Sequence, residues 1–358
     1  GEGEWLNTSI YTWRPSESLL PSTVYRATIP AGLVDTTGGL LAEDYSWTFA
    51  TFLPQVTSIS PPDGLLYVGP TDVISVTCNQ PMDRASVQEH FSLAERGGQA
   101  VPGTFDWSDE DTVLLFTPRP ALKRGAFYIA SIEAGALGAV GAEGTLKDYR
   151  WTFNTAPLPR VTKMTPADGA IGVNPSAGEY VKFSAPMERD TLNDHLTIEY
   201  YDPYRPESGF LTPTLVYSYW HQYDTELSLS FSLRASSRYT VTLGPGLMDQ
   251  YGAPIEAAAD GGNAAVSRFA TRELDPSCYF AMPGRVGTLD AYTTTTAVVG
   301  FRNISQLDLE LYRVPTRSFM LLASDAYRAW QNMARGAFVP VHAWSIPVSP
   351  PLNKTQVR

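Results

Sequence analysis

At 358 residues the chain is too long for one small core. Its 28 glycines, 28 prolines and 12% aromatic residues, with only 18% charged, are the profile of a turn-rich, multi-domain, all-β protein. A formal charge of −11 with scattered acids and no basic stripe argues against nucleic acid and anionic membranes, leaving a protein or a glycan as the expected partner. No run approaches the roughly 20 apolar residues of a spanning helix, so no membrane insertion is expected of this segment.

The chain opens on Gly1 with a segment, residues 1–53, that makes sense only beside the next. Trp5, Tyr25, Trp47, Phe49 and Thr51 find partners in Trp107, Tyr128, Trp151, Phe153 and Thr155, which belong to the back half of a longer unit. Residues 1–53 therefore read as the C-terminal half of one domain, either poorly packed here or completed by upstream chain, and the sequence as part of something longer. In Tyr45-Ser-Trp-Thr-Phe-Ala-Thr51 the alternate aromatics point one way, the period of a strand.

Residues 54–156 form the first whole unit. In Val73-Ile-Ser-Val-Thr-Cys78 the side chains of Ile74, Val76 and Cys78 share a face; in Thr112-Val-Leu-Leu-Phe-Thr117 either Val113 with Leu115 or Leu114 with Phe116 does so. Its closing strand, Tyr149-Arg-Trp-Thr-Phe-Asn-Thr155, repeats the aromatic alternation and is expected to anchor the core.

Residues 157–273 repeat that unit. Pro61, Asp63, Val68, Val76, Pro81, Met82 and His90 reappear as Pro166, Asp168, Val173, Val181, Pro186, Met187 and His195 at a constant offset of 105 (166 − 61). The register then drifts, with Phe116, Tyr128 and Phe153 placed opposite Phe231, Tyr239 and Phe269, and the second copy carries an insertion near Asp202 to Thr214, read as a Tyr- and Pro-rich loop. Each full unit has about seven short strand-like runs, the pattern of an immunoglobulin-like sandwich. The linkers Thr51-Phe-Leu-Pro-Gln-Val56 and Thr155-Ala-Pro-Leu-Pro-Arg-Val161 are short and proline-stiffened, which predicts modules held end to end as a rod.

Residues 274–358 follow a different pattern. Thr293 to Phe301 is strand-like, and Gln306-Leu-Asp-Leu-Glu-Leu-Tyr312 places Leu307, Leu309 and Leu311 on a buried face with Asp308 and Glu310 in solvent. A helix is predicted from Pro315, with Phe319, Leu322, Ala326, Ala329 or Trp330, and Met333 on one side and Gly336 at its end. A strand around His342-Ala-Trp344 and an incomplete domain follow.

The set Pro-x-Asp-Gly, Pro-Met-Asp/Glu and closing Trp-Thr-Phe-x-Thr resembles the bacterial Ig-like domains found in tandem on surface proteins, over residues 1–272. The stretch Val299-Gly-Phe-Arg-Asn-Ile-Ser-Gln-Leu-Asp-Leu-Glu-Leu-Tyr-Arg-Val314, its helix and Ala343-Trp-Ser-Ile-Pro-Val348 is similar to the first macroglobulin-type domain of bacterial alpha-2-macroglobulin-like proteins. The resemblance implies an all-β array of tandem Ig-like sandwiches followed by a macroglobulin-like sandwich carrying one helix. It also implies an extracytoplasmic place, periplasmic or cell-surface, and the non-catalytic N-terminal arm of a protease inhibitor, the protease being engaged by parts outside this segment. The alternative is a surface adhesin or glycan-binding stalk. The thioester motif Cys-Gly-Glu-Gln of such traps is not found: Cys78 lies in Thr-Cys-Asn-Gln-Pro and Cys278 in Ser-Cys-Tyr-Phe.

No catalytic, cofactor-binding or metal-ligating residue is assigned. His90 and His195 occupy one repeated position, where Ser86 or Thr191 is expected to cap a single helical turn. Cys78, opposite Phe183, reads as a small buried hydrophobe. Pro81-Met-Asp83 and Pro186-Met-Glu188 read as a strand end, a core-filling Met and an acid starting the next turn. Asp106-Trp-Ser-Asp-Glu-Asp111 is dense enough in carboxylates to raise weak calcium binding, yet reads as a solvated hairpin around Trp107. Asn7, Asn303 and Asn353 sit in glycosylation sequons that carry little weight. The feature that differs most between repeats is the aromatic insertion, so Tyr200, Tyr201, Tyr204 and Trp220, with Tyr217, Tyr219 and Tyr223 close by, are the candidate partner contacts.

Overall fold

The computed structural model describes residues 1–204, 207–211, 216–256, 265–281, 290, 292–324 and 338–358. The first segment has two hairpins, β1 (Glu2–Trp5) with β2 (Tyr11–Arg14) and β3 (Val24–Ile29) with β4 (Tyr45–Ala50). Tyr25 stacks on Phe49 at 5.7 Å between ring centroids, yet Trp47 is 46% and Phe49 40% exposed, because no second layer closes over them.

The second segment is a complete sandwich. Its strands are β5 (Val56–Ser60), β6 (Leu65–Val68), β7 (Ile74–Cys78), β8 (Phe91–Glu95), β9 (Gly103–Ser108), β10 (Val113–Pro118), β11 (Phe127–Ile132) and β12 (Tyr149–Thr155), with helix α1 (Arg84–His90) between β7 and β8. One sheet runs β5-β7-β10-β9 and the other β6-β12-β11-β8, with β6 parallel to β12. This is the immunoglobulin-like order, two sheets joined by crossovers. Leu114 and Phe116 are the buried pair of β10, and they pack with Ile74, Val76, Tyr128, Trp151 and Phe153 in one core. Cys78 belongs to that core as a free thiol, its pKa pushed up to about 11 by burial.

The third segment repeats this plan in β13 (Val161–Thr165), β14 (Ala170–Val173), β15 (Glu179–Phe183), β16 (Leu196–Asp202), β17 (Glu207–Leu211), β18 (Tyr217–His221), β19 (Glu226–Ser230), β20 (Arg238–Leu243) and β21 (Ala265–Thr271). A 3-10 turn (Arg189–Thr191) runs into the short α2 (Leu192–His195) at the place of α1. The sheets are β13-β15-β19-β18 and β14-β21-β20-β16-β17. The insertion is therefore not simply a loop: β16 runs on to Asp202 and β17 folds back on it, Tyr200 opposite Gly209, adding a fifth strand. The register also corrects one equivalence. Leu114 pairs with Val76 and Leu227 with Val181, so Phe116 corresponds to Leu229 and not to Phe231.

Three features recur in all three segments and explain why the closing strands carry their aromatics and threonine. The hydroxyls of Tyr25, Tyr128 and Tyr239 accept the backbone N–H of Leu20 (2.8 Å), Lys123 (2.9 Å) and Arg234 (2.6 Å). This is a tyrosine-corner arrangement. Each ring stacks on the closing-strand phenylalanine, Tyr128 on Phe153 at 5.6 Å and Tyr239 on Phe269 at 5.4 Å as Tyr25 does on Phe49. The hydroxyls of Thr51, Thr155 and Thr271 donate to the carbonyls of Leu20, Lys123 and Arg234 at 2.8, 2.6 and 2.6 Å.

No described core cluster crosses from one sandwich to the next. Phe153 is fully buried and its ring is central to the second core, so Phe153→Ala is expected to remove about 3–5 kcal/mol from that sandwich alone. Calorimetry should show the transition of the second sandwich falling further than that of the third. An equal fall of every transition would contradict independent cores.

The last segment holds β22 (Ser277–Phe280), β23 (Val299–Arg302), β24 (Gln306–Tyr312), helix α3 (Thr316–Ser324), β25 (Pro340–Pro347) and β26 (Gln356–Val357), in sheets β22-β23-β26 and β24-β25. Of the strand-like run from Thr293, only Val299 onward forms a strand. In β24 Leu307 is buried and Leu309 half-buried, but Leu311 is exposed because the β24/β25 ribbon runs past the small core of Val299, Phe301 and Leu307. Helix α3 starts one residue after Pro315, whose carbonyl accepts from Phe319 N–H at 2.9 Å. Ala326, Ala329, Trp330, Met333 and Gly336 lie outside the described residues.

Candidate functional site

The four aromatic candidates do not converge. Tyr200 turns inward on β16, its ring 6.3 Å from that of Tyr239, with the Arg234 guanidinium 4.6 Å from its centroid. Trp220 lies on β18 in the opposite sheet and stacks on buried Phe183 at 5.8 Å. Tyr201 and Tyr204 remain exposed beside the added hairpin. The repeat signals the inward role of Trp220, since Trp107 at the same position is half-buried against the second core.

The histidine position is structural. His90 ends α1 with Nδ1 2.7 Å from the Ser86 carbonyl. The expected cap is corrected: Asp83 accepts from Ser86 N–H at 2.8 Å, while the Ser86 hydroxyl accepts from Leu137 N–H at 3.0 Å. Thr191 makes no side-chain cap either; its hydroxyl donates to the Glu188 carbonyl. The motif Pro-Met-acid behaves as read, with Met82 and Met187 buried. In the 106–111 hairpin Asp111 is engaged by Arg84 at 2.6 Å, and Asp224 by Arg189 at 2.7 Å at the matching position of the third sandwich. Among the described residues no group of three or more His, Cys, Asp or Glu side chains is arranged to hold a metal. Asn303 and Asn353 are spent on each other and on Leu274: Asn303 Nδ2 donates to the Leu274 carbonyl at 2.6 Å, and Asn353 Oδ1 accepts from Leu274 N–H at 2.8 Å.

What the sequence did not expose is the set of junctions. In each segment the turn just before the corner tyrosine reaches the following segment. The Ser22 hydroxyl accepts from Gln80 Nε2 at 2.6 Å, and the Ser22 carbonyl accepts from Ala142 and Glu143 N–H. One junction on, the corresponding turn carries Arg124 and Gly125. Arg124 Nη2 donates to the Pro157 carbonyl at 3.0 Å and forms an ion pair with Asp249 of the third sandwich, while its guanidinium lies 5.3 Å from the Tyr251 ring centroid. The Tyr251 hydroxyl in turn donates to the Tyr67 carbonyl. At the third junction, the corresponding Ser236 hydroxyl accepts from Asn353 Nδ2 at 3.0 Å.

Asp249 is fully buried at this contact. Its Oδ1 accepts from Tyr251 and Ala253 N–H at 3.0 and 2.8 Å, fixing its own turn, and Oδ2 takes the arginine. A chain of short linkers, residues 51–55, 156–160 and 272–276, runs beside these contacts.

Among the described residues, one buried carboxyl lacks a hydrogen-bond partner. Glu179 stands on β15 where β7 has Ile74, is 3% exposed, and neither carboxylate oxygen has a hydrogen-bond partner. Burial alone pushes its pKa up to about 8.

A bacterial Ig-like domain family model matches residues 3–51, 53–155 and 156–271. An S-layer protein of Geobacillus stearothermophilus is 32% identical over 113 residues, which is 31% of this chain and 9% of that protein. The chain thus spans under a tenth of the length of this curated relative. Among solved structures, native alpha-2-macroglobulin from Escherichia coli spanning domains MG0-NIE-MG1 is 11% identical, with 86% of this chain and 96% of that one covered, at a TM-score of 0.25. The N-terminal part of the bacterial S-layer protein SbsC is 12% identical, covering 62% and 45%, at a TM-score of 0.24. By the family matches, which take in most of its length, the chain belongs to the bacterial Ig-like domain family.

Proposed function

We propose that this chain is a non-catalytic spacer in a bacterial extracytoplasmic protein, holding a downstream part at a set distance and orientation. The supporting observation is the junction: the same turn of each module, next to the same Tyr–Thr clamp, grips the next module, once through a buried ion pair. A chain of independently folded units needs no such contacts unless their relative orientation matters. The S-layer relative is consistent with an extracytoplasmic place.

A finer reading makes the parent an alpha-2-macroglobulin-like protease inhibitor and this chain its N-terminal arm. It is favoured by the change of plan after Thr271, where an array of sandwiches gives way to a β unit with one helix. Deleting residues 53–155 from the parent should bring the downstream part closer to its anchor and lower its function, and a second copy of 156–271 put in their place should restore both. Unchanged reach after the deletion would contradict the spacer role. Mixing the parent with a protease and measuring co-migration after cleavage tests the finer reading, which a complete absence of retained protease contradicts.

A further inference from the structure

We infer that the outer face of the β13-β15-β19-β18 sheet is a binding platform for an acidic polysaccharide. Tyr219, Ser228 and Tyr180 lie side by side across β18, β19 and β15, and Tyr217 lies beside Ser230 in the next row. All point away from the core, whose side of the same strands is held by Trp220, Leu227, Leu229 and Val181. Tyr217 is 69% and Tyr219 59% exposed.

The second sandwich supplies the internal comparison. By the shared register, Tyr180, Tyr217 and Tyr219 stand where it has Ser75, Thr104 and Asp106. The fold is satisfied there without a single outward aromatic on these three positions. The tyrosines therefore answer to something outside the sandwich.

The spacing suits a sugar chain. Tyr219 and Tyr180 are two strands apart, about 9.6 Å, with a small serine between them, and Tyr217 is about 6.7 Å along the strand from Tyr219. Rings flank a shallow floor into which hydroxyl groups can donate and accept, while the electron-rich ring faces meet the C–H faces of pyranose units.

Charge selects the acidic class. The adjoining row is His221, Glu226, Lys182 and Lys163, two lysines to one glutamate in a chain of net charge −11. Lys182 and Glu226 pair at 3.0 Å and Glu226 also receives the Tyr180 hydroxyl, which fixes that ring. Lys163, exposed at the edge, is left to meet a uronate carboxylate.

The test is affinity electrophoresis of the whole chain in gels containing alginate, polygalacturonate or hyaluronan, with dextran and a neutral β-glucan as controls. Retardation by at least one acidic polymer is expected, weakening with salt. Tyr219→Ala and Tyr217→Ala should each weaken it about ten-fold, and Lys163→Ala should weaken it too, whereas Tyr204→Ala should not. Circular dichroism melting of each variant separates lost binding from lost folding. No retardation by any acidic polymer, equal retardation by the neutral ones, or retention unchanged by the tyrosine variants would overturn the assignment. The spacer role does not depend on the outcome.

Discussion

Glu179→Ile is expected to stabilise the third sandwich and to abolish a pH dependence expected of the native chain. Burial raises the carboxyl pKa from its ordinary 4.5 to about 8, so the folded state holds a proton that the unfolded chain releases. Below pH 4.5 both states are protonated and the group costs nothing in charge. Between there and pH 8 stability falls as pH rises, by about 1.4 kcal/mol for each pH step, and above pH 8 it levels off. The accumulated loss at pH 9 is roughly 4 to 5 kcal/mol. Ile74 at the matching place in the second sandwich shows that an aliphatic side chain fits. Glu179→Gln should flatten the pH profile without the apolar gain. Thermal melts of the third sandwich from pH 4 to pH 9 check this; a native profile as flat as that of the isoleucine variant would contradict it.

Arg124→Ala is expected to cost about 3 kcal/mol or more, and to do so in the third sandwich rather than in the one that carries the arginine. Asp249 is fully buried and its second oxygen has Arg124 as partner, so truncation leaves a carboxylate out of water without a counter-charge. The melting temperature of the third sandwich should drop on the order of 10 °C. Tyr251 loses its cation at the same time, though its hydroxyl bond to the Tyr67 carbonyl remains. An exposed pair such as Arg84 with Asp111 is the contrast, since solvent screens it and Arg84→Ala should change stability little. Equal effects of the two substitutions would contradict the buried junction.

Much of the fold was legible because its signals are local and doubled. The closing strands declare themselves by alternating aromatics, and the offset of 105 residues carries Cys78 onto Phe183 and Met82 onto Met187, all buried. What failed depended on hydrogen-bond register. Phe231 looked like the partner of Phe116, but strand pairing gives that role to Leu229, because the added hairpin changes the offset. Asp83 rather than Ser86 caps α1, because Asp83 is the extended residue directly before the helix and its carboxylate reaches Ser86 N–H.

The candidate surface was legible only as a composition. A cluster of Tyr and Trp around 200–223 was visible, but which of them face outward follows from strand parity: Trp220 points in and Tyr219 out. Tyr180 is about forty residues from Tyr219, so only sheet topology brings them together. Glu179 did carry a signal, since it shares a face with Val181 and Phe183 and aligns with Ile74. The junctions were harder to read: Ser22 and Ser236 match, each three residues before a corner tyrosine, but Gly125 stands between them with Arg124 making the contact instead, and every partner lies in another segment.

Fixed junctions between independently folded modules are what the proposed spacer role requires. Spin labels at Thr104→Cys and Asp190→Cys, with exposed Cys278 replaced by serine, report the second-to-third junction by pulsed dipolar spectroscopy. One narrow distance distribution is predicted, broadening when Arg124→Ala is added. A broad distribution in the chain with Arg124 intact would contradict it.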